Sequence, residues 1–311
     1  MGMSDSYGAP RSEDRAESIA TIQAALDAGI NLLDTGDFYG LGHNEMLIGE
    51  ALKGRRRDQA ILSVKFGVLR DPGGGLNGLD NRPVAIRNFI GYSLKRLGVD
   101  YIDIYRPARL DPAVPIEDTI GAIADLIKAG YVRHIGLSEV DADTIRRAAA
   151  AHPIVDLQIG YSLLERRLEG ETLSACRQLG VAITAYGVLA RGLIGGHLQA
   201  LPSADDYRHF SPQFQGENFR ANLELAERLR TAAETWGATP AQAAIAWVLS
   251  RGDDMVPLVG ARSRVRLNEA IAALDLAPSD ADLQRLAMVA PEHAAARLAF
   301  PPDQKRVGKA E

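Results

Sequence analysis

Short apolar runs alternate with longer stretches of helical period along most of the chain. Several short runs are rich in β-branched and aromatic residues, which predicts strands. They are INLLDT (30–35), AILSVKF (60–66), YIDIYR (101–106), HIGLS (134–138), VDLQI (155–159), VAITAY (181–186) and MVPLV (255–259). Between them, apolar residues recur at i, i+3 and i+4, which predicts amphipathic helices. These segments are 17–29, 44–54, 84–98, 116–130, 142–152 and 170–180.

The order of these segments predicts an α/β fold. Strands that alternate with helices and are apolar on both faces are typical of a parallel sheet covered by helices. The repeated strand–helix unit indicates a (β/α)8 barrel, or TIM barrel. A doubly wound open sheet is the alternative. The G-x-G-x-x-G turn that normally follows the first strand of such a sheet does not occur in this sequence.

The beginning of the sequence does not supply an eighth strand. That strand should precede the helix predicted near 16–28, yet the residues there have little strand character. The prediction is therefore a (β/α)8 barrel whose first strand is truncated or missing. We expect one barrel domain over residues 1–291 and a C-terminal tail over 292–311.

Composition excludes several classes of function. The net charge of −5 argues against a nucleic-acid partner, because nucleic-acid-binding domains are normally basic. Cys176 is the only cysteine, so neither an internal disulfide nor a multi-cysteine metal site is possible. No signal-peptide pattern and no apolar stretch of about 18 residues is present. We expect a cytoplasmic protein with no metal and no membrane partner; the sequence does not predict its oligomeric state.

Polar side chains stand where several predicted strands end, and in barrels that edge carries the active site. Lys65 ends an apolar strand, where partial burial destabilises its charge unless a carboxylate lies near. Asp34 ends the neighbouring strand and is the natural partner. A structural ion pair is the simpler interpretation of these two residues alone. Tyr39 changes that balance, because it follows Asp34 in DTGDFYG, a loop that can fold the phenol back over the lysine.

This arrangement predicts acid catalysis by Tyr39. A neighbouring ammonium stabilises a phenolate and so lowers a phenol pKa that starts at about 10. A phenol of lowered pKa can donate its proton to a developing alkoxide. We expect Asp34, Tyr39 and Lys65 to act together, with Asp34 positioning Lys65 and keeping it charged.

The same residues lie in motifs that resemble the aldo-keto reductase superfamily, whose members are NADPH-dependent barrel enzymes. The resemblance runs through LLDTGDFYG, GHNEMLIGEAL, SVKFG, RLGVDYIDIY, AGYVRHIGLSE, LQIGYSLLERR and GVAITAYGVLARGLIGG to TPAQAAIAWVLSRGDDMVPLVGARS and RLNEA. It covers nearly the whole chain. By this resemblance, Asp34, Tyr39 and Lys65 are three of the family's four catalytic residues.

The fourth catalytic position departs from the family. Members usually carry Y-x-x-H after the fourth strand, and here Ala108 stands where the histidine would be, in YRPARLDP. This segment resembles a pyridoxal-reductase-like branch more than the common form. Three interpretations stay open: Arg106 or Arg109 supplies a positive donor, a water fills the gap, or the protein is a weak catalyst. His43, in a motif common to the family, is interpreted as structural.

The resemblance also implies a set of cofactor-binding residues. Ser138 and Gln158 would hold the nicotinamide carboxamide, and Tyr186 would stack on its ring, whereas Glu139 replaces the usual asparagine. The amides of GVLARGLIGG and the Arg191 guanidinium suit a pyrophosphate.

Arginines that cluster at a helix N-terminus in GARSRVRLNEA can bind the 2′-phosphate of NADPH, which NADH lacks, so this cluster favours NADPH as the cofactor. By resemblance Arg262 or Arg264 meets that phosphate, Arg266 stacks on adenine and Glu269 contacts the adenine side, a contact that Ala270 weakens. The remaining predicted cofactor residues are Gly187, Leu189, Gly192, Gly260 and Ser263.

The sequence therefore predicts an NADPH-dependent reductase that converts an aldehyde or ketone, a small-molecule carbonyl substrate, to an alcohol with Tyr39 as general acid. The Gly-rich loop 69–78 is interpreted as a flexible lid over the substrate pocket, and the long irregular stretch 187–217 as functional. The alternative is an NADPH-binding sensor or regulatory protein with vestigial catalysis. Ala108 and Glu139 favour that alternative, and the catalytic group of Asp34, Tyr39 and Lys65 opposes it.

Overall fold

The computed structural model describes residues 1–5, 7, 14–55, 57–196, 198, 200 and 206–290. The predicted tail, 292–311, lies outside these residues. Within them, no helix is both long enough and apolar enough to cross a membrane.

A curled parallel sheet forms the centre of the molecule. Its seven strands, in spatial order, are β1 (Leu32–Gly36), β2 (Ile61–Phe66), β5 (Ile102–Pro107), β6 (Val132–Ser138), β7 (Ile154–Gly160), β8 (Ala182–Tyr186) and β9 (Met255–Pro257). The other two strands, β3 (Val68–Arg70) and β4 (Leu76–Leu79), form a separate antiparallel hairpin.

Helices follow the strands as the sequence predicts. Those of the described residues are α1 (Asp14–Asp27), α2 (His43–Ala51), α3 (Pro83–Leu97), α4 (Ile116–Lys128), α5 (Ala142–Ala151), α6 (Glu171–Leu179), α7 (Gly216–Glu234), α8 (Pro240–Leu249), α9 (Arg264–Ile271) and α10 (Asp280–Val289). Short 3₁₀ turns cover Arg57–Gln59, Ala190–Gly192, Tyr207–Phe210, Pro212–Phe214 and Ala272–Asp275.

The fold is a (β/α)8-type barrel with seven strands among the described residues. Neighbouring strands of the sheet follow one another in chain order, with no point at which the order reverses, and this excludes the doubly wound alternative. The described residues before Leu32 contain no strand, as predicted. Tyr7 forms only an isolated bridge with Asp206.

The alternation along β2 explains how the site is placed. Leu62, Val64 and Phe66 are fully buried apolar residues of the core, whereas the intervening Ser63 and Lys65 are buried polar residues. Side chains of a strand alternate between its two faces, so Ser63 and Lys65 share the face opposite the apolar one. One face of β2 therefore packs in the core while the other carries polar groups into the barrel.

The predicted lid is a structured hairpin rather than an irregular loop. Its strands pair between Val68 and Leu79, and the glycines of residues 73–75 lie at the tip between them, whereas Gly78 lies within β4. Arg70 anchors the hairpin by an ion pair with Asp5 at 3.2 Å and by donating to the Phe38 carbonyl at 3.4 Å. These two contacts connect the hairpin to the rest of the barrel, and its role as a lid stays a prediction.

Candidate active site

Asp34 and Lys65 form a buried ion pair at the carboxyl ends of β1 and β2. Parallel pairing aligns Asp34 with Ser63 and places Lys65 beside Gly36, so the two side chains meet in the barrel. Asp34 Oδ2 also accepts hydrogen bonds from Ser63 Oγ at 2.8 Å and Gln158 Nε2 at 2.6 Å. Burial acts to raise the pKa of Asp34, but the charges of Lys65 and Arg106 hold it below its usual value.

Burial has the opposite effect on the lysine. It lowers the pKa of Lys65, and the Asp34 carboxylate counteracts that shift. The two charges thus compensate one another in a space that water barely reaches. A charge pair of this kind is retained because breaking it leaves one ion buried alone.

Tyr39 lies over this pair because the loop after β1 turns sharply. The Tyr39 amide donates to the Gly36 carbonyl at 3.0 Å, and Gly40 adopts a φ of 58°, a conformation that glycine accommodates readily. The turn brings the Tyr39 ring centroid to 5.0 Å from Lys65 Nζ. The structure therefore brings Asp34, Tyr39 and Lys65 together, as the motif requires.

The expected fall in the pKa of Tyr39 is a prediction that the structure corrects. Burial raises the pKa of Tyr39 well above its usual value, the Asp34 carboxylate raises it further, and the cation that lowers it most is Arg109. The main physical reason is burial, which disfavours the charged phenolate, and the Asp34 carboxylate beside Lys65 adds to the rise. Tyr39 is consequently held in its protonated form, which is the form that can give up a proton.

Two buried carboxyl groups, Asp37 in the loop after β1 and Glu45 in α2, lie near one another and were not expected from the sequence. Burial and the nearby Glu45 carboxylate raise the pKa of Asp37 to about 8, while Arg96, which is ion-paired with Glu45, opposes the rise. Asp37 is therefore mostly protonated at neutral pH. Its Oδ1 and Glu45 Oε1 are buried without a hydrogen-bond partner.

The structure separates the two arginines that flank Ala108. Arg106 is fully buried, pairs with Asp156 at 2.9 Å and donates to Ser63 Oγ at 2.8 Å, so it is part of the polar interior of the barrel. Arg109 instead lines a cavity at the carboxyl edge of the sheet. Ala108 is itself buried and carries no donor.

This cavity has a volume of about 220 Å³. Its walls combine three arginines, two glutamates and a tyrosine with small residues: Arg109, Glu139, Gly160, Ser162, Glu165, Arg167, Tyr186, Gly187, Ala190 and Arg191. Burial raises the pKa of Tyr186 to about 12, the Glu139 charge adds to the rise, and Arg109 and Arg191 oppose it. The cavity therefore brings together three residues of the predicted cofactor set, Tyr186, Gly187 and Arg191.

The predicted carboxamide ligands lie at the carboxyl ends of β6 and β7, where Ser138 pairs with Gln158 in register. The Gln158 amide nitrogen is already engaged by Asp34, so its carbonyl oxygen is the group left to accept a hydrogen bond. Glu139 adopts a φ of 53° and its Oε1 accepts from the Gly160 amide at 2.8 Å. Sequence reasoning did not anticipate either of these contacts.

The segment after β8 turns at Gly187 and again at the 3₁₀ turn Ala190–Gly192. Ala190 and Arg191 both have positive φ, 46° and 56°, and Gly192 follows at 98°. Arg191 Nη1 donates to Gln213 Oε1 at 3.3 Å, and its carbonyl accepts from Arg208 at 3.0 Å. Arg191, which lines the cavity, thus also bonds to two later residues of the stretch 187–217 that is predicted to be functional.

The second predicted cofactor cluster lies at the start of α9. Ser263 caps this helix, with its Oγ accepting from the Arg266 amide at 3.5 Å, and Arg266 pairs with Glu269 at 2.9 Å. Arg264 turns away from the cluster, because its side chain and its amide both bond to Glu17 of α1. Arg262 Nη1 donates to the Tyr7 carbonyl at 3.1 Å. That either arginine meets a 2′-phosphate stays a prediction.

Residues remote in sequence complete the edge of the site. The Tyr7 and Tyr207 hydroxyls lie 3.1 Å apart, and their rings meet edge to face. The Arg208 guanidinium lies 4.9 Å from the Tyr7 ring centroid. Neither tyrosine was predicted, and the only available signal was that Tyr207 falls within the irregular stretch 187–217.

Fold and site together define a barrel protein with a buried lysine–carboxylate pair and a tyrosine at the carboxyl edge of its strands. The sequence model of the aldo/keto reductase family matches residues 1–290. The chain is 39% identical over 288 residues to the probable aldo-keto reductase 1 of Glycine max, covering 92% of this chain and 82% of that protein. The chain therefore belongs to the aldo/keto reductase family, a family of oxidoreductases.

Solved structures agree with this assignment. A glycerol dehydrogenase from Gluconobacter oxydans superposes with a TM-score of 0.83 at 28% identity, over 94% of this chain and 90% of that chain. An aldo/keto reductase from Klebsiella pneumoniae, solved in complex with NADP and acetate, superposes with a TM-score of 0.70 at 25% identity. That alignment covers 90% of this chain and 87% of that chain.

Proposed function

We propose that this protein reduces an aldehyde or ketone to an alcohol with NADPH, and that Tyr39 is the general acid. The observation that carries the proposal is the Tyr39 phenol standing over the buried Lys65–Asp34 pair, next to a cavity at the carboxyl edge of the barrel. Family membership and the NADP complex of the Klebsiella relative support it.

The residues present fit a dinucleotide. Arg191 lines the cavity and, among the described residues, has no carboxylate within ion-pair distance, so its charge is available to a phosphate. The space that a Cβ would occupy at Gly187 and at Gly260 is open to at least 4 Å. Ser138, Gln158 and Tyr186 would hold the nicotinamide, and Arg262 and Ser263 the 2′-phosphate.

The residues of this chain then have separate tasks. NADPH, when bound, supplies the hydride and becomes NADP⁺. Tyr39 donates its phenolic proton to the carbonyl oxygen, so that one C–H bond and one O–H bond replace the C=O π bond. Lys65 stabilises the phenolate left behind, Asp34 holds Lys65 in place, and water returns a proton to Tyr39.

The experiment is to follow NADPH and NADH oxidation at 340 nm with a panel of aldehydes and ketones that includes pyridoxal. We expect turnover with NADPH and at least one carbonyl of the panel, and slower turnover with NADH. Tight NADPH binding without turnover of any carbonyl would contradict the proposal. That outcome would favour a sensor, the second candidate, for which Ala108 is the supporting observation because it offers no donor to a substrate.

The phosphate site gives a sharper prediction about cofactor choice. Replacing Arg262 by glutamine should weaken NADPH binding roughly tenfold, because a hydrogen bond to a charged group contributes about 1.5 kcal/mol or more. NADH binding should be unchanged. Arg264→Gln is the matched control, since Arg264 is an exposed arginine engaged by Glu17. Equal losses of NADPH affinity in the two variants, measured by fluorescence titration, would show that Arg262 does not meet the phosphate.

A further inference from the structure

Arg109 is a guanidinium group that the ion pairs of the site leave unmatched. Among the described residues, no carboxylate lies within ion-pair distance of it. Its Nη1 donates to the Ala108 carbonyl at 2.6 Å and lies 3.5 Å from Ser138 Oγ. Lys65 and Arg167, which lie at the same edge of the barrel, are both paired with carboxylates. A cation left unmatched in a cavity is a site for an electron-rich ligand atom.

The Arg109 charge acts on both tyrosines of the proposed site. Burial and then Asp34 raise the pKa of Tyr39, and Arg109 is the cation that opposes the rise most. Arg109 also opposes the rise in the pKa of Tyr186 that burial causes, and it lines the cavity beside that ring. Arg109 thus shares the cavity with Tyr186 and is close enough to Tyr39 for its charge to act on the phenol.

The chain holds Arg109 in a defined position. The main-chain carbonyl of Arg109 accepts a hydrogen bond from Asn81 Nδ2 at 2.8 Å. The main-chain N–H of Asn81 donates to Asp111 Oδ2 at 3.1 Å. The amide of Ala108 donates to the Phe66 carbonyl, also at 2.8 Å. These contacts fix the backbone that carries Arg109, and the hydrogen bond from Nη1 to the Ala108 carbonyl holds the guanidinium itself. A donor held in this way needs little reorganisation during the reaction, which favours stabilisation of charge.

Neither Arg106 nor Ala108, the other two candidate positions in this segment, offers a donor to a substrate. Arg106 is fully buried and committed to Asp156 and Ser63, and Ala108 has no polar side-chain atom. The histidine expected in this segment from the family resemblance is thus absent at 108, while the next residue, Arg109, carries a guanidinium that pairs with no carboxylate among the described residues.

We infer that Arg109 donates a hydrogen bond to the carbonyl oxygen of the substrate and stabilises the negative charge that grows there during reduction. Arg109 is then a catalytic residue that takes over the task of the missing histidine. The inference rests on the proposed function, since it concerns the same reaction.

The test compares Arg109→Lys, Arg109→Met and Arg109→Ala with the wild-type protein. Loss of one such donor lowers kcat by about 100-fold or more, so we expect that loss in the methionine and alanine variants and a smaller one in the lysine variant. The Kd of NADPH, measured by fluorescence titration, should stay within twofold in all three. Guanidinium ions at tens of millimolar should restore part of the turnover of the alanine variant, whereas urea or sodium chloride at equal concentration should not.

Arg147→Ala is the control, because Arg147 is an exposed arginine of α5 that pairs with Glu117 and does not line the cavity; its turnover should match the wild type. Wild-type kcat in Arg109→Met, or a loss explained entirely by weaker NADPH binding, would overturn the inference while leaving the proposed reaction intact. Absence of turnover in the wild-type protein itself would instead remove the proposed function. NADPH binding by each variant shows that it is folded, so a loss of kcat is assigned to the side chain.

Discussion

Replacing Tyr39 by phenylalanine is expected to lower kcat for carbonyl reduction by roughly 100-fold to 10,000-fold, the range contributed by a positioned general acid. The ring would keep its place over Lys65, so the site should retain its shape. We therefore expect the Kd of NADPH to stay within twofold of the wild-type value. Steady-state kinetics and fluorescence titration of the same preparation measure the two quantities.

The pH dependence follows from the direction of the Tyr39 pKa. Because burial and the Asp34 charge raise that pKa, the phenol stays protonated through the neutral range. Carbonyl reduction requires the protonated form, so its rate should not fall between pH 6 and 8 for lack of acid. Alcohol oxidation requires the phenolate, so its rate should climb as pH rises toward the Tyr39 pKa, and that climb should vanish in Tyr39→Phe.

Tyr92→Phe serves as the control for this substitution, because Tyr92 lies on α3 and its side chain is 58% exposed. It should keep wild-type kcat and the wild-type pH profile. Turnover in Tyr39→Phe equal to that of Tyr92→Phe would end the assignment of Tyr39 as the acid.

Much of the barrel is predictable from the sequence because its strands are short apolar runs, and the segments between them have apolar residues at helical spacing. The predicted strand 60–66 corresponds to Ile61–Phe66, and its terminal lysine is found at the carboxyl edge. Asp34 was predictable as its partner, since consecutive strands of a barrel are neighbours. The turn DTGDFYG carried Tyr39 to the pair through local geometry alone.

What the sequence could not show depends on residues far apart in the chain. The Gln158 side-chain amide donates to Asp34 across the barrel, a contact that the sequence does not show; the predicted role of Gln158 in holding a nicotinamide carboxamide stays a prediction. The ion pair between Arg264 and Glu17 of α1 is likewise a contact that the sequence does not show. The pKa of Tyr39 rises rather than falls mainly because the folded chain buries the phenol, and residues distant in sequence determine that burial.

Replacing Lys65 by methionine is expected to be costly for both stability and turnover. The substitution leaves the Asp34 carboxylate buried without its ammonium, and breaking a buried ion pair typically costs about 3–5 kcal/mol. Ser63, Gln158 and the charge of Arg106 remain near Asp34, so we expect the lower end of that range. The unmatched Asp34 carboxylate would also raise the pKa of Tyr39 further and make the phenol a weaker acid. We therefore expect kcat to fall at least 100-fold, as it does when an enzyme loses a strong electrostatic contact to the transition state.

The double variant Asp34→Asn with Lys65→Met separates the two effects. Removing the orphaned charge should restore most of the free energy of unfolding, measured by urea denaturation, because no ion is then buried alone. Turnover should stay low, since the phenolate formed on proton transfer still has no ammonium beside it. Lys95→Met, an exposed lysine of α3, should change neither quantity appreciably. Recovery of wild-type kcat in the double variant would mean that Lys65 only neutralises Asp34 and gives Tyr39 no direct help.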